Sequence, residues 1–257
     1  MSMTMVEIEK QLKALRLSGM VATLESRALQ ASQCNAVLVE ALSWLLQDEM
    51  DHRSSGLRQR RFKASGLTEL KTLTEFDWGF NPKLPKREIY ELVTAKFIQN
   101  GEHALLIGAP GTGKSHIAKT IAHASIQLFQ KTVYREAHVF FEDMFEAEQT
   151  GKTKKVLKLF SEADLLIIDD LFLRKRMPSD AADYLLDIII NRYSKRKSTV
   201  ITSNRPIEDW GLLLKDNAAS SAILDRLLHH GHLLKFEGKS YRLKEAAKRL
   251  SQVKEKK

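Results

Sequence analysis

The feature that most constrains the fold is a glycine-rich segment near the middle of the chain, GAPGTGKS, which runs from Gly108 to Ser115. It follows the apolar run HALLI and precedes the helical stretch HIAKTIAHASI. A strand, such a turn and a helix in this order form a phosphate-binding loop, because glycines let backbone N–H groups wrap a phosphate and the helix directs its positive end at it. The segment therefore predicts an α/β domain that binds a nucleotide.

Two side chains of this loop have specific predicted roles. Lys114 would neutralise the β- and γ-phosphates of ATP, and Ser115 would bind Mg²⁺. Chance produces the bare pattern in a chain of this length about one time in a hundred, so a glycine-rich turn without function is the weaker interpretation. The predicted ATP-binding residues of the segment are Gly108, Ala109, Pro110, Gly111, Thr112, Gly113, Lys114, Ser115 and His116.

The hydrophobic pattern after residue 86 alternates between short apolar runs and longer helical stretches. Strand candidates cover residues 103–108, 132–137, 165–169, 198–203 and 232–236. This alternation is typical of a parallel sheet with helices on both faces. We therefore predict an α/β fold with a five-stranded parallel sheet.

Two adjacent acids end the apolar run LLIIDD, at the edge where parallel sheets bind their ligands. In ATPases with such a phosphate loop, the first acid, Asp169, holds the Mg²⁺ and the second, Asp170, orients or activates the attacking water. Solvated acids at a strand end are an equally good interpretation of this run alone. The phosphate loop upstream favours the functional one.

The β-branched run TVITSN ends in Asn204 at the same predicted edge of the sheet. From there its amide could bond the attacking water or the γ-phosphate. Because Asn before Arg-Pro is also a common turn, the prediction depends on the position of Asn204 in the sheet.

The first third of the chain has helical spacing and lacks proline up to about residue 66. One long helix, or two helices interrupted near Ser54–Gly56, would fit residues 36–62. Glycine and proline between Phe76 and Pro85 indicate a connector, whose aromatic residues could pack on adenine or join two domains. We predict a helical domain at 1–70, a connector at 71–86 and an ATPase domain at 87–257.

The net charge of +9 favours a polyanionic partner. Apolar runs long enough to span a membrane are absent from the sequence, and its first residues do not resemble a signal peptide. The single cysteine, Cys34, suits a reducing compartment and is predicted to be buried. We expect a cytoplasmic protein without membrane contact. Basic clusters comprise Arg53, Arg58, Arg60, Arg61 and Lys63; Lys152, Lys154, Lys155 and Lys158; and Arg174, Lys175 and Arg176.

The order and spacing of five segments, GAPGTGKS, LLIIDD, VITSN, ILDRL and SYR, resemble the AAA+ class of P-loop ATPases. Within this class the chain is most similar to the IstB family, which comprises ATP-binding helper proteins of insertion-sequence transposition related to DnaC helicase loaders. The helical first segment and the connector FDWGFNPKLP share this likeness, which therefore covers nearly the whole chain.

The resemblance implies an ATPase that assembles head to tail on duplex DNA and assists the transposase of the same insertion sequence. It assigns Asn204 as a sensor and Arg226 as a finger that reaches the γ-phosphate in a neighbouring subunit. An ion pair on its own surface is the alternative for Arg226. Arg242 matches a second sensor, although the 21 residues after Phe236 are too few for a complete lid. The implied DNA-binding residues are Lys152, Lys154, Lys155, Lys158, Arg174, Lys175 and Arg176.

The chain departs from the AAA+ class at one catalytic position. Most AAA+ proteins carry glutamate where this chain has Asp170, and the shorter side chain predicts slow hydrolysis without partners. Three different functions also fit the motifs. A helicase loader acting on single-stranded DNA uses the same ATPase core, and a small-molecule phosphotransferase or a DNA-binding scaffold that hardly hydrolyses ATP would carry a similar phosphate loop.

Overall fold

The computed structural model describes residues 3–173 and 177–254 and divides the chain into two units, Met1–Arg60 and Arg61–Lys257. The predicted basic cluster at 174–176 lies outside the described residues. The predicted domain limits near residues 70 and 86 stay a prediction. Within the described ranges, no helix is both long and apolar enough to cross a membrane.

The first unit is helical. It contains α1 (Met5–Ala14), α2 (Ser18–Cys34) and most of α3 (Leu38–Ser65). Helix α3 is uninterrupted through Ser54–Gly56, which settles the open choice between one helix and two. The Glu49 carboxylate of α3 accepts hydrogen bonds from the Gly19 and Met20 N–H groups at 2.7 and 3.2 Å. It thereby satisfies N–H groups at the start of α2, which the helix itself leaves unpaired.

The prediction of a buried Cys34 is wrong. Cys34 is exposed, because it is the last residue of α2 and Asn35 ends that helix in a left-handed conformation. The apolar character of a cysteine does not show whether it lies at the end of a helix or on the packed face of that helix.

The second unit contains the predicted parallel sheet. Its strands are β1 (His103–Gly108), β2 (Thr132–Glu136), β3 (Leu165–Leu171), β4 (Ser198–Ser203) and β5 (Gly231–Phe236). All neighbouring strands are parallel, in the order β2-β3-β4-β1-β5. The α/β prediction is confirmed, and each strand limit lies within two residues of its predicted position.

Helices cover both faces of the sheet. Alternate residues of β3 enter different cores: Leu166 and Ile168 pack with helices at 137–149, 181–194 and 217–229, whereas Leu165 and Ile167 pack with helices at 86–93 and 114–127. Such strands are apolar on both faces, as their sequences predict. The helices are α4 (Lys86–Val93), α5 (Lys96–Asn100), α6 (Lys114–Gln127), α7 (Ala137–Gln149), α8 (Thr153–Glu162), α9 (Ala181–Ser194), α10 (Trp210–Leu214), α11 (Asn217–His229) and α12 (Tyr241–Lys254), with 3₁₀ turns at Leu73–Glu75 and Ile207–Asp209.

Strands β3 and β4 change register near their carboxyl ends. Ile168 pairs with Ile201, but the next pair is Leu171 with Ser203. Two residues of β3 therefore stand opposite one residue of β4, which is the definition of a β-bulge. Those two residues are Asp169 and Asp170.

Candidate nucleotide site

The loop between β1 and α6 requires glycine at two positions. Gly111 has φ +77°, and a Cβ there would lie 2.1 Å from Ser240 Oγ. Gly113 has φ +106°, and a Cβ would lie 2.6 Å from the Phe76 ring. Side chains at these positions would be strained and would also collide with their neighbours. The glycines thus allow the loop to adopt the shape predicted from its sequence.

Lys114 is the first residue of α6 and is only 4% exposed. Its ammonium donates hydrogen bonds to the carbonyl oxygens of Gly108 and Ala109, at 2.7 and 2.9 Å. Burial lowers the pKa of Lys114, although the negative charges of Asp170 and Asp169 oppose the shift. A phosphate at this position would add a negative charge in direct contact with the ammonium, whose present partners are neutral carbonyl oxygens.

A cavity joins the loop to the segments predicted to act with it. Pro110 through His116 form one wall, and Asp170, Asn204 and Arg242 come from three other parts of the chain. The connector forms a further wall of this cavity. In the sequence, the aromatic residues of the connector were the signal for such a contact. Outside the loop the lining residues are Glu75, Phe76, Asp77, Phe80, Asn81, Asp170, Leu173, Asn204, Tyr241 and Arg242.

The connector is tied to the loop helix by His116. The Nε2 atom of His116 lies 2.9 Å from the Thr72 carbonyl oxygen, and its ring meets Phe76 edge-on at 5.3 Å between centroids. Asn81 makes a second link, because its side-chain amide exchanges two hydrogen bonds with the Lys239 backbone. These contacts bring residues of the connector into the cavity beside the phosphate loop.

The two acids have different surroundings. Asp169 is 2% exposed, and its Oδ2 accepts a hydrogen bond from the Tyr134 hydroxyl at 2.5 Å while its Oδ1 accepts one from Thr202. Asp170 has φ +56° and faces the cavity. Burial, followed by the negative charge of Asp169, raises the pKa of Asp170, and Lys114 partly opposes this shift.

Asn204 contributes a polar atom without a partner. Its Oδ1 is buried and accepts no hydrogen bond from the described residues, although the side chain lines the cavity with Lys114 and Asp170. Buried polar atoms are normally paired, and this oxygen can only accept, so Asn204 fits a site that a bound water would complete by donating a hydrogen bond to it.

The oxygen ligands that Mg²⁺ prefers are also present. Ser115 lines the cavity, and each Asp169 oxygen accepts one hydrogen bond from a described side chain, which leaves it a second lone pair. Both predicted Mg²⁺ ligands, Ser115 and Asp169, therefore carry oxygen atoms that suit the ion, and Ser115 lines the cavity whereas Asp169 does not.

The two predicted arginines lie in different places. Arg242, in the first turn of α12, lines the cavity. Arg226 lies on α11 and is not among the residues that line the cavity; its guanidinium donates to the Ala222 carbonyl oxygen of the same helix at 2.8 Å. The ion pairs found among the described residues do not include Arg226, so the predicted alternative of a surface ion pair gains no support.

The four predicted DNA-binding lysines that the structure describes are all exposed. Lys152 precedes α8, and Lys154, Lys155 and Lys158 lie on that helix. The Lys158 Nζ atom lies 4.0 Å from Glu162 Oε2, which is the longest distance in any of the ion pairs found among the described residues. The remaining three predicted DNA-binding residues, Arg174, Lys175 and Arg176, lie in the stretch that is not described.

A phosphate loop after β1, acids at the end of β3 and a polar side chain at the end of the intervening strand β4 define a P-loop ATP-binding protein of the AAA+ class. The model of the family described as IstB-like ATP binding protein matches residues 10–249, so the chain belongs to this family. This membership confirms the resemblance seen in the sequence.

Relatives of known context support this assignment. The chain is 36% identical over 242 residues to the putative ATP-binding protein of insertion sequence IS5376 from Geobacillus stearothermophilus, covering 94% of this chain and 95% of the relative. It is 31% identical over 244 residues to the putative ATP-binding protein of insertion sequence IS21 from Pseudomonas aeruginosa, covering 95% and 91%.

Solved structures share the fold. A DnaC helicase loader superposes with a TM-score of 0.50 at 22% identity, covering 59% of this chain and 87% of that one. Domain III of the replication initiation protein DnaA from Thermotoga maritima superposes with a TM-score of 0.56 at 19% identity, covering 73% and 77%.

Replacing Asp170 with Asn should raise the melting temperature of the nucleotide-free protein at neutral pH. The raised pKa of Asp170 means that burial makes its charge costly; asparagine removes the charge and tolerates positive φ. We expect a rise of about 2 °C or more, measured by calorimetry.

The gain in melting temperature from Asp170→Asn should shrink as the pH falls through the raised pKa of Asp170. The wild-type acid then becomes neutral as well, so the two proteins no longer differ in charge at this position. Asp187→Asn, at an exposed position of α9, is the matched control and should leave the melting temperature unchanged. An unchanged or lower melting temperature for Asp170→Asn at neutral pH would contradict this account of the site.

Proposed function

We propose that the protein is a cytoplasmic ATPase that assembles head to tail on duplex DNA in its ATP-bound form and assists a transposase in selecting the target site. The observation that carries this proposal is that Lys114, Asp170 and Asn204, whose Oδ1 atom is unpaired among the described residues, line one cavity, whereas Arg226 does not. The relatives named as ATP-binding proteins of insertion sequences support the transposition role.

The side chains suggest how hydrolysis would proceed. Lys114 would hold the β- and γ-phosphates, and Ser115 and Asp169 would hold Mg²⁺, which neutralises phosphate charge when bound. Asp170 would orient the attacking water and accept its proton as the bond between the γ-phosphorus and the ADP oxygen breaks. Its raised pKa makes Asp170 a stronger base than an ordinary aspartate, while its short side chain keeps turnover slow without partners.

Asn204 and Arg226 would complete the site from two different subunits. Asn204 would accept a hydrogen bond from the attacking water with its Oδ1 atom, which is unpaired among the described residues, or donate one to the γ-phosphate with its amide NH₂ group. Arg226 does not line the cavity of its own subunit, so we infer that it enters the cavity of a neighbour and stabilises charge there. Contacts between unlike surfaces of identical subunits generate rings or open helices, which suits assembly along DNA.

The basic surface of α8 supports DNA as the partner. Its lysines are exposed, and they carry a positive charge that phosphates would neutralise with release of counterions. DNA contacts by these lysines, the identity of the transposase and the choice of target site are parts of the proposal.

Mixing two inactive variants tests whether Arg226 acts between subunits. Arg226→Ala keeps an intact cavity, and Asp170→Asn keeps an intact Arg226, so each protein alone should hydrolyse little ATP. An equimolar mixture on duplex DNA should recover about a quarter of the wild-type rate, because random assembly joins one intact cavity to one intact arginine at about one interface in four.

The control for the mixture is Arg226→Ala combined with the double variant Arg226→Ala/Asp170→Asn, which contains no intact arginine and should stay inactive. Phosphate release is the readout, and mixed assembly is checked by mass photometry. No recovery in a mixture that does assemble would show that Arg226 does not act in a neighbour's site.

Replacing Lys154, Lys155 and Lys158 with alanine should weaken binding to duplexes of any sequence and reduce its salt dependence. Each lost phosphate contact lowers the slope of log K against log salt by about 0.9. Fluorescence anisotropy at several salt concentrations measures this slope. Lys195→Ala, at another exposed position, is the control. An unchanged slope in the triple variant would exclude these lysines from the DNA interface.

A further inference from the structure

A buried threonine stands opposite both acids of the site. The register change between β3 and β4 leaves Asp169 and Asp170 facing the single residue Thr202, which is completely buried. Its hydroxyl lies 2.8 Å from the Asp170 backbone nitrogen and also contacts Asp169 Oδ1. Among the described residues, Thr202 is therefore the side chain that bonds to both neighbouring acids.

The direction of each hydrogen bond at Thr202 follows from chemistry. The Asp170 N–H can only donate, so the Thr202 oxygen accepts from it. An ionised carboxylate can only accept, so the Thr202 proton is donated to Asp169 Oδ1. One hydroxyl thus connects the backbone of the second acid to the side chain of the first.

The second oxygen of Asp169 is held by Tyr134. The Tyr134 hydroxyl donates to Oδ2 at 2.5 Å from the adjacent strand β2, and its side chain is buried. Burial and the charge of Asp169 raise the pKa of Tyr134 well above its usual range, so the phenol keeps its proton. With one donor on each oxygen, the Asp169 carboxylate cannot rotate without breaking a buried hydrogen bond.

The hydrogen bond between the Asp170 N–H and Thr202 also supports the unusual backbone conformation of Asp170. Its φ of +56° is uncommon for a residue other than glycine and persists only where surrounding structure enforces it. At the bulge, the Asp170 N–H bonds to the Thr202 side chain in place of a strand partner. Bulges of this kind re-aim side chains, and here Asp170 faces the cavity that contains Lys114.

We propose that Thr202, together with Tyr134, is a positioning residue that fixes the Asp169 carboxylate for Mg²⁺ and aims Asp170 at the attacking water. This inference rests on the proposed ATPase function, and it adds two residues that do not line the nucleotide cavity. Loss of a hydrogen bond that orients a metal ligand typically weakens metal binding about 10- to 100-fold. The effect should therefore appear in Mg²⁺ binding as well as in turnover.

Thr202→Val removes the hydroxyl and keeps the shape of the side chain. We expect it to raise the Mg²⁺ concentration that half-saturates binding of a fluorescent ATP analogue about tenfold, measured at equilibrium by anisotropy. Thr202→Ser retains the hydroxyl and should restore the wild-type value. Thr199→Val is the matched control, because Thr199 is an equally buried threonine of β4 whose hydroxyl bonds Arg192 instead. It should leave the Mg²⁺ dependence unchanged even if it lowers the melting temperature.

A folded Thr202→Val protein with the wild-type Mg²⁺ dependence would overturn the inference. If Thr202→Val does not fold, Tyr134→Phe decides: it should raise the half-saturating Mg²⁺ concentration about tenfold, and a wild-type value would overturn the inference.

The readout separates this inference from the proposed function, because analogue binding needs no hydrolysis. A wild-type protein that binds the analogue with Mg²⁺ but never hydrolyses ATP would contradict the proposed activity and leave the positioning test valid. A wild-type protein whose analogue binding ignores Mg²⁺ would contradict the proposed metal site, and the inference would fail with it.

Discussion

The position of β4 between β1 and β3 is the constraint on which the site depends. All five strands are parallel, so their carboxyl ends meet at one edge of the sheet, and the order β2-β3-β4-β1-β5 places the end of β4 between the phosphate loop and the acids. Asn204 follows β4 directly and lines the same cavity as Lys114 and Asp170. Because the central strands β3 and β4 are buried on both faces, the core of the domain and the geometry of its site are fixed by the same residues.

The site contains electrostatic features that are unfavourable without a ligand. The Lys114 ammonium is buried against carbonyl oxygens, Asp170 lies beside a second acid, and the Asn204 oxygen has no partner among the described residues. A nucleotide with its metal would supply negative charge to the lysine and positive charge to the acids, and the attacking water would donate a hydrogen bond to the Asn204 oxygen. The ligand-free protein thus gives up stability at the positions where ATP would bind, as functional sites commonly do.

Local patterns predicted the parts of the fold that depend on short stretches of sequence. Strand limits followed from apolar runs, and the phosphate loop followed from its glycines, whose positive φ angles no other residue adopts as easily. Contacts across long sequence separations were not predictable. The sequence does not report strand register, so the role of Thr202 stayed hidden, although a threonine inside the buried run VITS was a signal. The contacts of His116 and Asn81 likewise join segments that are far apart in the chain, so they were not predictable either. The prediction for Cys34 was wrong because a small apolar residue suits both a core and the end of a helix.

The most direct test of ATP-controlled assembly is the mass distribution of the protein on duplex DNA, with and without ATP and Mg²⁺, for the wild type and for Lys114→Ala. We expect large complexes only when wild-type protein, DNA and ATP are all present. Lys114→Ala should stay small under every condition, because the phosphates would lose the buried ammonium that binds them. Wild-type protein that remains monomeric on DNA with ATP, or a variant that assembles as well as the wild type, would contradict an ATP-controlled assembly on DNA.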